Sequence, residues 1–271
     1  MIPVFVRRYF SADQRRWPLA LKLASRLNDF GVKMVALSRE LMNAIYADDR
    51  GLNDRDPVVR LRDLNAAIND TLRRQAQEYK SYTYFNGYPY QGLGLLNVFG
   101  DRLADPRFDE YELRKFISEK DNILDIGCSC GFIALMAAYR TGCRAHGIDI
   151  NPYMIEIGRL CADHLNVGSL VSLEAVRIQE YTAKEPFTVV LSFATHWTDD
   201  ENYRVSIRDH MQRMHSYLAP GGLLLFETHA ADPGQAEFYA AMETVRDLFS
   251  WDGVFKKTES GLREFYVMRK I

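Results

Sequence analysis

The segment Asp125-Ile126-Gly127-Cys128-Ser129-Cys130-Gly131 lies between a short apolar run and an apolar helical pattern. Its first and last glycines let the backbone turn sharply and pass close to a ligand. The helix that follows offers free N–H groups at its start. A dinucleotide-binding loop typically reads Gly-x-Gly-x-x-Gly, and the middle glycine is absent here. Asp125 would repel a pyrophosphate, so the loop favours a ligand that carries a positively charged amino-acid group.

Strand and helix patterns alternate around this loop. The predicted strands are 122–125, 144–148, 171–175, 187–193, 223–227, 254–255 and 265–268, and the predicted helices are 110–118, 132–139, 152–164, 203–217 and 235–249. This alternation predicts an α/β fold with a largely parallel sheet and helices on both faces. The last two strands have no helix between them, which indicates a closing antiparallel hairpin. Ligands of such sheets bind beyond the carboxyl ends of the strands.

The chain before this sheet has two different parts. Apolar residues recur at helical spacing over 34–45 and 61–72, and Asp56-Pro57 is a start signal for the second helix. Aromatic residues and glycines are interleaved from 81 to 109. We therefore predict a helical N-terminal extension over 1–80, an aromatic and glycine-rich lead-in over 81–109, and the α/β domain over 110–271. The N-terminal helices could also mediate a homo-oligomer.

Composition and charge narrow the class of protein. The chain is 47% hydrophobic and 26% charged, which is ordinary for a globular protein, and no apolar run approaches the roughly 20 residues that a membrane span needs. The N-terminus does not resemble a signal peptide, so we expect a cytoplasmic protein. The four cysteines lack the paired spacing of a zinc site, and no metal is predicted. Residues 1–80 carry 15 basic and 10 acidic side chains. This excess of positive charge indicates either that the N-terminal part favours an anionic substrate, or that this part and the rest of the chain have solvated surfaces of different charge.

Asp149 is a second candidate ligand residue. It follows the second strand, where a carboxylate can accept hydrogen bonds from both hydroxyls of a ribose. It also precedes a helix, where it could be the N-cap. Because Asn151-Pro152 is the better cap, we interpret Asp149 as the ribose-binding residue.

Two further segments complete a set of motifs. Val189 to Trp197 ends the fourth strand, and Leu218-Ala219-Pro220-Gly221-Gly222 precedes the fifth. Together with residues 125–131 and Asp149, in this order and at these separations, they resemble the class I S-adenosylmethionine-dependent methyltransferases over 110–271. Ser129 departs from the glycine that many members have. The resemblance implies a Rossmann-like, seven-stranded, mostly parallel sheet with an antiparallel last strand. A nicotinamide oxidoreductase is disfavoured by the glycine pattern, whereas a protein that binds the cofactor without catalysis stays open.

The resemblance also implies how S-adenosylmethionine binds. The glycine loop would hold it, the ribose would lie on Asp149, the adenine would lie between residue 150 and residues after strand three, and two residues at the end of strand four would line the methyl group. The implied cofactor-binding residues are Asp125, Gly127, Cys128, Gly131, Asp149, Ile150, Ile178, Gln179, Ser192 and Phe193.

A weaker resemblance concerns the methyl acceptor. Tyr88-x-Tyr90-x-Gly92, Asp101-Arg102 and Asp105-Pro106-Arg107-Phe108 resemble the lead-in of methylphosphate capping enzymes, which methylate a terminal phosphate of RNA and also have a Trp after strand four, like Trp197. The resemblance implies an anionic acceptor with Arg102 and Arg107 as anchors. The alternative for both arginines is a surface salt bridge. We expect a small-molecule, sugar or phosphate acceptor. RNA ranks second because no arginine-rich stretch is evident, and protein ranks third.

Methyl transfer needs the acceptor, the methyl carbon and the sulfur held in line, and a base if the acceptor must lose a proton. His196, just past strand four, is the predicted catalytic base, and the alternative is a histidine that caps the loop. Glu227 and His229, beyond strand five, are second candidates. Trp197 and Tyr90 either form walls of the acceptor pocket or pack as ordinary aromatic residues.

Overall fold

A computed structural model describes residues 57–78, 89–100, 102–198, 203–258 and 263–271. The first predicted helix, the polar loop that follows it and the aromatic residues of 81–88 lie outside these residues. The described residues belong to two compact units, one that includes 57–78 and 89–105 and one that includes the residues from 106 onward. The division of the chain at 80 and 109 stays a prediction.

The first unit contains a long helix and a short parallel strand pair. Helix α1 spans Pro57–Glu78, begins at the predicted proline and buries Leu64, Ile68 and Leu72. Strand β1 (Gln91–Gly92) pairs with β2 (Arg102–Leu103), and the turn Gly94–Leu96 lies between them. The N–H of Gly94 donates to Asp105 Oδ1 at 2.6 Å.

The second unit is built on the predicted sheet. Its strands are β3 (Asn122–Ile126), β4 (Arg144–Asp149), β5 (Val171–Ala175), β6 (Phe187–Phe193), β7 (Leu218–Glu227), β8 (Phe249–Ser250), β9 (Lys256–Lys257) and β10 (Glu264–Lys270). The order is β5-β4-β3-β6-β7-β10-β8, and β9 also pairs with β10. Strands β3 to β7 are parallel, and β10 is antiparallel to β7, β8 and β9. The mostly parallel sheet and its antiparallel last strand are confirmed, with β9 as an eighth strand.

The helices are α2 (Ala104–Glu110), α3 (Phe132–Thr141), α4 (Pro152–His164), α5 (Ile207–Tyr217) and α6 (Ala236–Glu243). The predicted helix 110–118 is wrong, because Glu112 is in the left-handed region at φ 52° and a short 3₁₀ turn follows it. Helix α5 begins four residues later than predicted, because Ser206 Oγ accepts the N–H of Asp209 as the N-cap. Helix α6 ends before the predicted 249, and Phe249 pairs with β10 instead.

Two other predicted boundaries are corrected. The turn predicted at 218–222 is the start of β7, because Leu218 already pairs with Phe187. The strand predicted at Val254-Phe255 lies two residues later, at Lys256–Lys257. Among the described helices, none combines the length and the apolar character needed to cross a membrane.

Side-chain alternation gives the sheet two buried faces. Helices α5 and α6 cover one face, where their apolar side chains pack against Leu124, Val190, Leu224 and neighbouring residues of one cluster. Helices α3 and α4 pack on β3, β4 and β5 with residues outside that cluster. Because successive strand residues point to opposite faces, the side chains of Ser192 and Phe193 at the end of β6 lie on opposite faces of the sheet. Glu227 of β7 is paired with Phe193, so its side chain lies on the same face as that of Phe193.

Candidate functional site

The glycine loop after β3 has the conformation that its sequence predicts. Gly127 and Gly131 have φ values of 60° and 67°, in the region that favours glycine. A β-carbon on Gly127 would lie 2.7 Å from Thr195 Cγ2, so the loop closely approaches the segment that follows β6. Ser129 also has a positive φ of 52°. The loop therefore has three residues in the left-handed region of φ, which residues other than glycine rarely adopt.

Asp149 ties the end of β4 to this loop. Its Oδ2 accepts the N–H of Ser129 at 2.7 Å, and its Oδ1 accepts the N–H of Asn151 at 2.9 Å. The side chain of Asn151 caps α4 by accepting the N–H groups of Tyr153 and Met154, as predicted. Asp149 is half-buried, and a carboxylate has capacity for more than two hydrogen bonds. Its ribose-binding role stays a prediction that this arrangement supports.

Asp125 lies under the same loop and is only 3% exposed. Burial raises the pKa of its carboxyl from 3.8 to about 7, the charge of Arg107 lowers this pKa, and the charge of Asp149 raises it. Within the described residues, Asp125 Oδ2 has no hydrogen-bond partner. A buried carboxylate with unused capacity is suited to a cationic group of a ligand.

The other predicted cofactor residues differ in exposure. Cys128 is fully buried, its N–H donates to the carbonyl of Ile148 at 2.9 Å, and burial raises the pKa of its thiol. Ile150 and Ile178 are half-buried, and Gln179 is exposed. The carbonyl of Ile178 accepts a hydrogen bond from Arg213 Nη1 at 2.8 Å. These positions surround the carboxyl ends of β3, β4 and β5, and their contacts to a cofactor stay predictions.

Ser192 and Phe193 lie on opposite faces of the sheet. Ser192 is fully buried on the α5 side, where its Oγ lies 2.8 Å from His210 Nε2 and 2.9 Å from Thr195 Oγ1. Phe193 packs edge-on against Tyr111, with ring centroids 5.8 Å apart. The hydroxyl of Ser192 is therefore engaged within the protein, and of this pair Phe193 lies on the face of Asp125.

A buried ion pair lies on the face of Phe193. Arg107 Nη2 contacts Glu227 Oε2, and Arg263 Nε lies 3.5 Å from the other oxygen of the same carboxylate. The Arg107 guanidinium also lies over the ring of Phe193, 4.7 Å from its centroid. Both Arg107 and Glu227 are buried. The alternative of a surface salt bridge is thus wrong for Arg107. Glu227 is engaged in this ion pair, and its role as a second candidate base stays a prediction.

Tyr90 and Arg102 belong to the first unit. The N–H of Arg102 donates to the carbonyl of Tyr90 at 3.1 Å, and both side chains are half-buried. Their predicted roles in acceptor binding stay predictions.

The segment after β6 carries His196 and Trp197 into a cluster of aromatic side chains. His196 is buried, and its Nε2 lies 3.3 Å from Asp232 Oδ2. The rings of Trp197 and His229 stack with centroids 3.9 Å apart, and the Arg204 guanidinium lies 4.4 Å from the Trp197 centroid. Trp197 is therefore packed against two side chains of the protein, and its predicted role as a wall of the acceptor pocket stays a prediction.

Hydrogen bonding and charge distinguish the histidines of this cluster. Within the part of the chain that the structure describes, His196 Nδ1 has no hydrogen-bond partner, so no backbone bond to this atom supports the loop-capping alternative. Burial, together with the charge of His196, lowers the pKa of His210 to about 3 and that of His229 to about 4. Both rings are therefore neutral near pH 7. No group of three or more His, Cys, Asp or Glu side chains in the described residues is arranged to hold a metal ion.

Four residues of the site were not predicted from the sequence: Thr195, which contacts the glycine loop; Asp232, beside His196; Arg263, beside Glu227; and Gly158 of α4, on which the loop packs. An isolated glycine within a helical pattern is a signal of close packing, and it could have identified Gly158. The other three depend on contacts between distant parts of the chain.

A sequence profile identifies the family of this chain. A family profile described as a methyltransferase domain matches residues 117–262, which is more than half of the chain. A search of curated proteins finds no match. Similar solved structures include YjhP from E. coli, at 20% identity and a TM-score of 0.41, with 49% of this chain and 54% of that chain covered. An RNA methyltransferase from Salinibacter ruber with S-adenosyl-L-homocysteine has 20% identity, a TM-score of 0.44 and coverages of 61% and 90%. The N-methyltransferase NodS from Bradyrhizobium japonicum WM9 with the same ligand has 17% identity, a TM-score of 0.47 and coverages of 75% and 98%.

Proposed function

Because the chain belongs to the methyltransferase domain family and is a class I S-adenosylmethionine-dependent methyltransferase, we propose that it methylates a hydroxyl group of a small molecule or sugar. The observation that carries this proposal is the buried imidazole of His196, whose Nδ1 has no hydrogen-bond partner among the described residues. His196 follows Thr195, the residue that contacts Gly127 of the glycine loop. A base would therefore lie next to the loop that holds the cofactor.

The residues of the second unit fit the cofactor chemically. S-adenosylmethionine supplies a methyl group bound to a positively charged sulfur. Asp125, buried with an unpartnered oxygen among the described residues, suits its ammonium group. Asp149, half-buried at the end of β4, suits its ribose. Gly127 and Gly131 have positive φ values and no room for a β-carbon, which would meet Thr195 at Gly127 and Leu173 at Gly131, so the loop stays close to the protein beneath it.

A hydroxyl acceptor accounts for His196 better than a phosphate does. A hydroxyl must lose its proton as its oxygen is methylated, and a histidine can accept that proton near neutral pH. A phosphate acceptor needs no base and needs a cation instead. Arg107, the cation predicted to anchor an anion, is buried against Glu227 in this structure. That pairing supports an uncharged acceptor over a terminal phosphate or an RNA end.

Replacing His196 by alanine or glutamine is expected to lower kcat on the order of 100-fold, the low end of what a general base contributes. The Kd for S-adenosylmethionine should change by less than about two-fold, because the cofactor residues are intact. The measurement is S-adenosylhomocysteine formation with sugars and other hydroxyl compounds, phosphate monoesters, carboxylates and short RNAs as acceptors. His215→Gln is the matched control, because His215 lies on α5 against Phe249 and outside the His196 cluster.

Three results would count against this proposal. Unchanged turnover in the His196 variants would remove the base, and transfer to RNA or phosphate monoesters in preference to hydroxyl compounds would replace the acceptor. Tight cofactor binding without transfer to any acceptor would favour the non-catalytic alternative.

Cofactor affinity is expected to depend on pH through Asp125. Its pKa of about 7 means that the carboxyl is largely protonated at pH 6 and ionised at pH 8 when no ligand is bound. Binding of an ammonium group requires the ionised form, so S-adenosylmethionine should bind about 10-fold more tightly at pH 8 than at pH 6, with proton release at pH 6. Calorimetry in buffers of different ionisation enthalpy measures both quantities.

Asp125→Asn should abolish this pH dependence and weaken binding at pH 8 by about 10-fold. The exposed carboxylate of Asp247 is the control, and Asp247→Asn should behave like the unchanged protein. Equal affinities at pH 6 and pH 8 in the unchanged protein would refute the role of Asp125.

A further inference from the structure

We infer that Asp232 is a positioning residue that holds the His196 imidazole with Nε2–H toward its own carboxylate and Nδ1 available to accept the acceptor's proton. This inference rests on the proposed function, which makes His196 the base. It assigns a role to a residue that no sequence motif identifies.

The geometry of the two side chains supports this tautomer. Asp232 Oδ2 lies 3.3 Å from His196 Nε2, and the two side chains are 12% and 5% exposed. A neutral imidazole carries one N–H, and a carboxylate can only accept a hydrogen bond. The N–H therefore belongs on Nε2, which leaves the lone pair on Nδ1. Within the described residues, Nδ1 has no hydrogen-bond partner that would compete for that lone pair.

The carboxylate of Asp232 is itself fixed by the turn after β7. Its Oδ2 accepts the N–H of His229 at 2.6 Å, and the N–H of Asp232 donates to the carbonyl of His229 at 3.2 Å. The ring of His229 stacks on Trp197, the chain neighbour of His196. The turn after β7 therefore places the Asp232 carboxylate beside His196 and the His229 ring on Trp197. These two contacts restrict the orientation of the His196 imidazole. A base oriented by a third group in this way is a recurrent arrangement in enzymes.

The groups packed around the His196 ring include one carboxylate, that of Asp232. The titratable groups packed against its ring are His210 from α5, and His229 and Asp232 from the segment after β7. His210 and His229 are neutral near pH 7, since their pKa values are lowered to about 3 and about 4. When the proton of an acceptor hydroxyl moves to Nδ1, the resulting imidazolium faces a carboxylate and two uncharged rings.

The test compares Asp232→Asn, Asp232→Ala and Asp232→Glu in the full chain. Asp232→Asn keeps an oxygen for the N–H of His229 and removes the charge. We expect kcat to fall about 10-fold and the Kd for S-adenosylmethionine to change less than about two-fold. The pH profile of kcat/KM should also change in Asp232→Asn, because the imidazolium that forms during transfer loses its neighbouring negative charge.

Two further measurements separate positioning from a structural role. The ¹⁵N chemical shifts of the His196 ring should show the Nε2–H tautomer in the unchanged protein and a mixture of tautomers in Asp232→Asn. Asp232→Glu should restore part of the rate, and Asp247→Asn, the same charge change at an exposed site, should alter none of these quantities.

The outcomes distinguish this inference from the proposed function. If His196→Ala is inactive while Asp232→Asn keeps the rate, the pH profile and the tautomer of the unchanged protein, the inference is overturned and the base stands. If His196→Ala keeps full activity, the proposed function fails, and the role of Asp232 fails with it. If Asp232→Ala is the only variant that fails to fold, the result for Asp232→Asn decides whether the inference holds.

Discussion

Replacing Glu227 by alanine is expected to lower the free energy of unfolding by about 3–5 kcal/mol, because it removes the buried carboxylate that the buried Arg107 contacts. Arg107 contacts Glu227, its side chain is 5% exposed, and the carboxylate is fully buried. Water cannot replace the lost carboxylate at that depth. Arg263, which lies 3.5 Å from the same group, would lose a partner as well. Urea unfolding followed by circular dichroism measures the change.

The double variant Arg107→Met/Glu227→Leu provides the decisive comparison. Apolar residues of similar volume remove the buried charges of Arg107 and Glu227, and Arg263 keeps its hydrogen bond to the carbonyl of Thr228, so the double variant should recover most of the stability that Glu227→Ala loses. Asp247→Ala removes one partner of the exposed Arg208–Asp247 pair and should cost at most about 1 kcal/mol. A loss as small as this control in Glu227→Ala would show that the buried pair does not stabilise the fold.

Several elements of the second unit could be predicted from the sequence almost residue by residue. The bounds predicted for β5, β6 and α4 agree with the structure, because each is a distinct apolar pattern with a clear cap or turn on at least one side. The periphery could not be predicted in the same way. The segment before β3 has a helical pattern, but the left-handed conformation of Glu112 interrupts the predicted helix. No residue type at this position indicates such a conformation.

Among the candidate site residues, only those whose position at a strand end identifies them without a partner could be predicted. Asp125, Asp149 and His196 lie at the strand ends where the pattern placed them, since the carboxyl ends of parallel strands meet at one edge. Partners from distant parts of the chain could not be predicted. Arg107 and Glu227 are 120 positions apart, and one sequence contains no signal that joins them. The same reason explains why the burial of Arg107, whose predicted roles were an anchor for an anion or a surface salt bridge, could not be predicted.

Replacing Gly158 by alanine is expected to weaken the binding of S-adenosylmethionine on the order of 100-fold while the protein stays folded. Gly158 is in α4, where alanine would ordinarily stabilise a helix by about 1 kcal/mol. A β-carbon at this position would overlap the carbonyl oxygen of Cys130 in the glycine loop and would lie 2.5 Å from Leu173 Cδ1. A leucine methyl can rotate away, whereas a backbone carbonyl moves only with its loop.

The glycine loop should therefore shift away from α4, with an overpacking cost of about 1–3 kcal/mol that the gain in helix propensity partly offsets. A 100-fold loss of affinity corresponds to about 2.8 kcal/mol, which lies within this overpacking cost. Gly168→Ala is the matched control, because a β-carbon there meets only the end of the Asp163 side chain, and its cofactor affinity should stay within about two-fold. Normal cofactor binding by Gly158→Ala would mean that α4 moves and the glycine loop does not. Gly158 would then be required only for the packing of the helix.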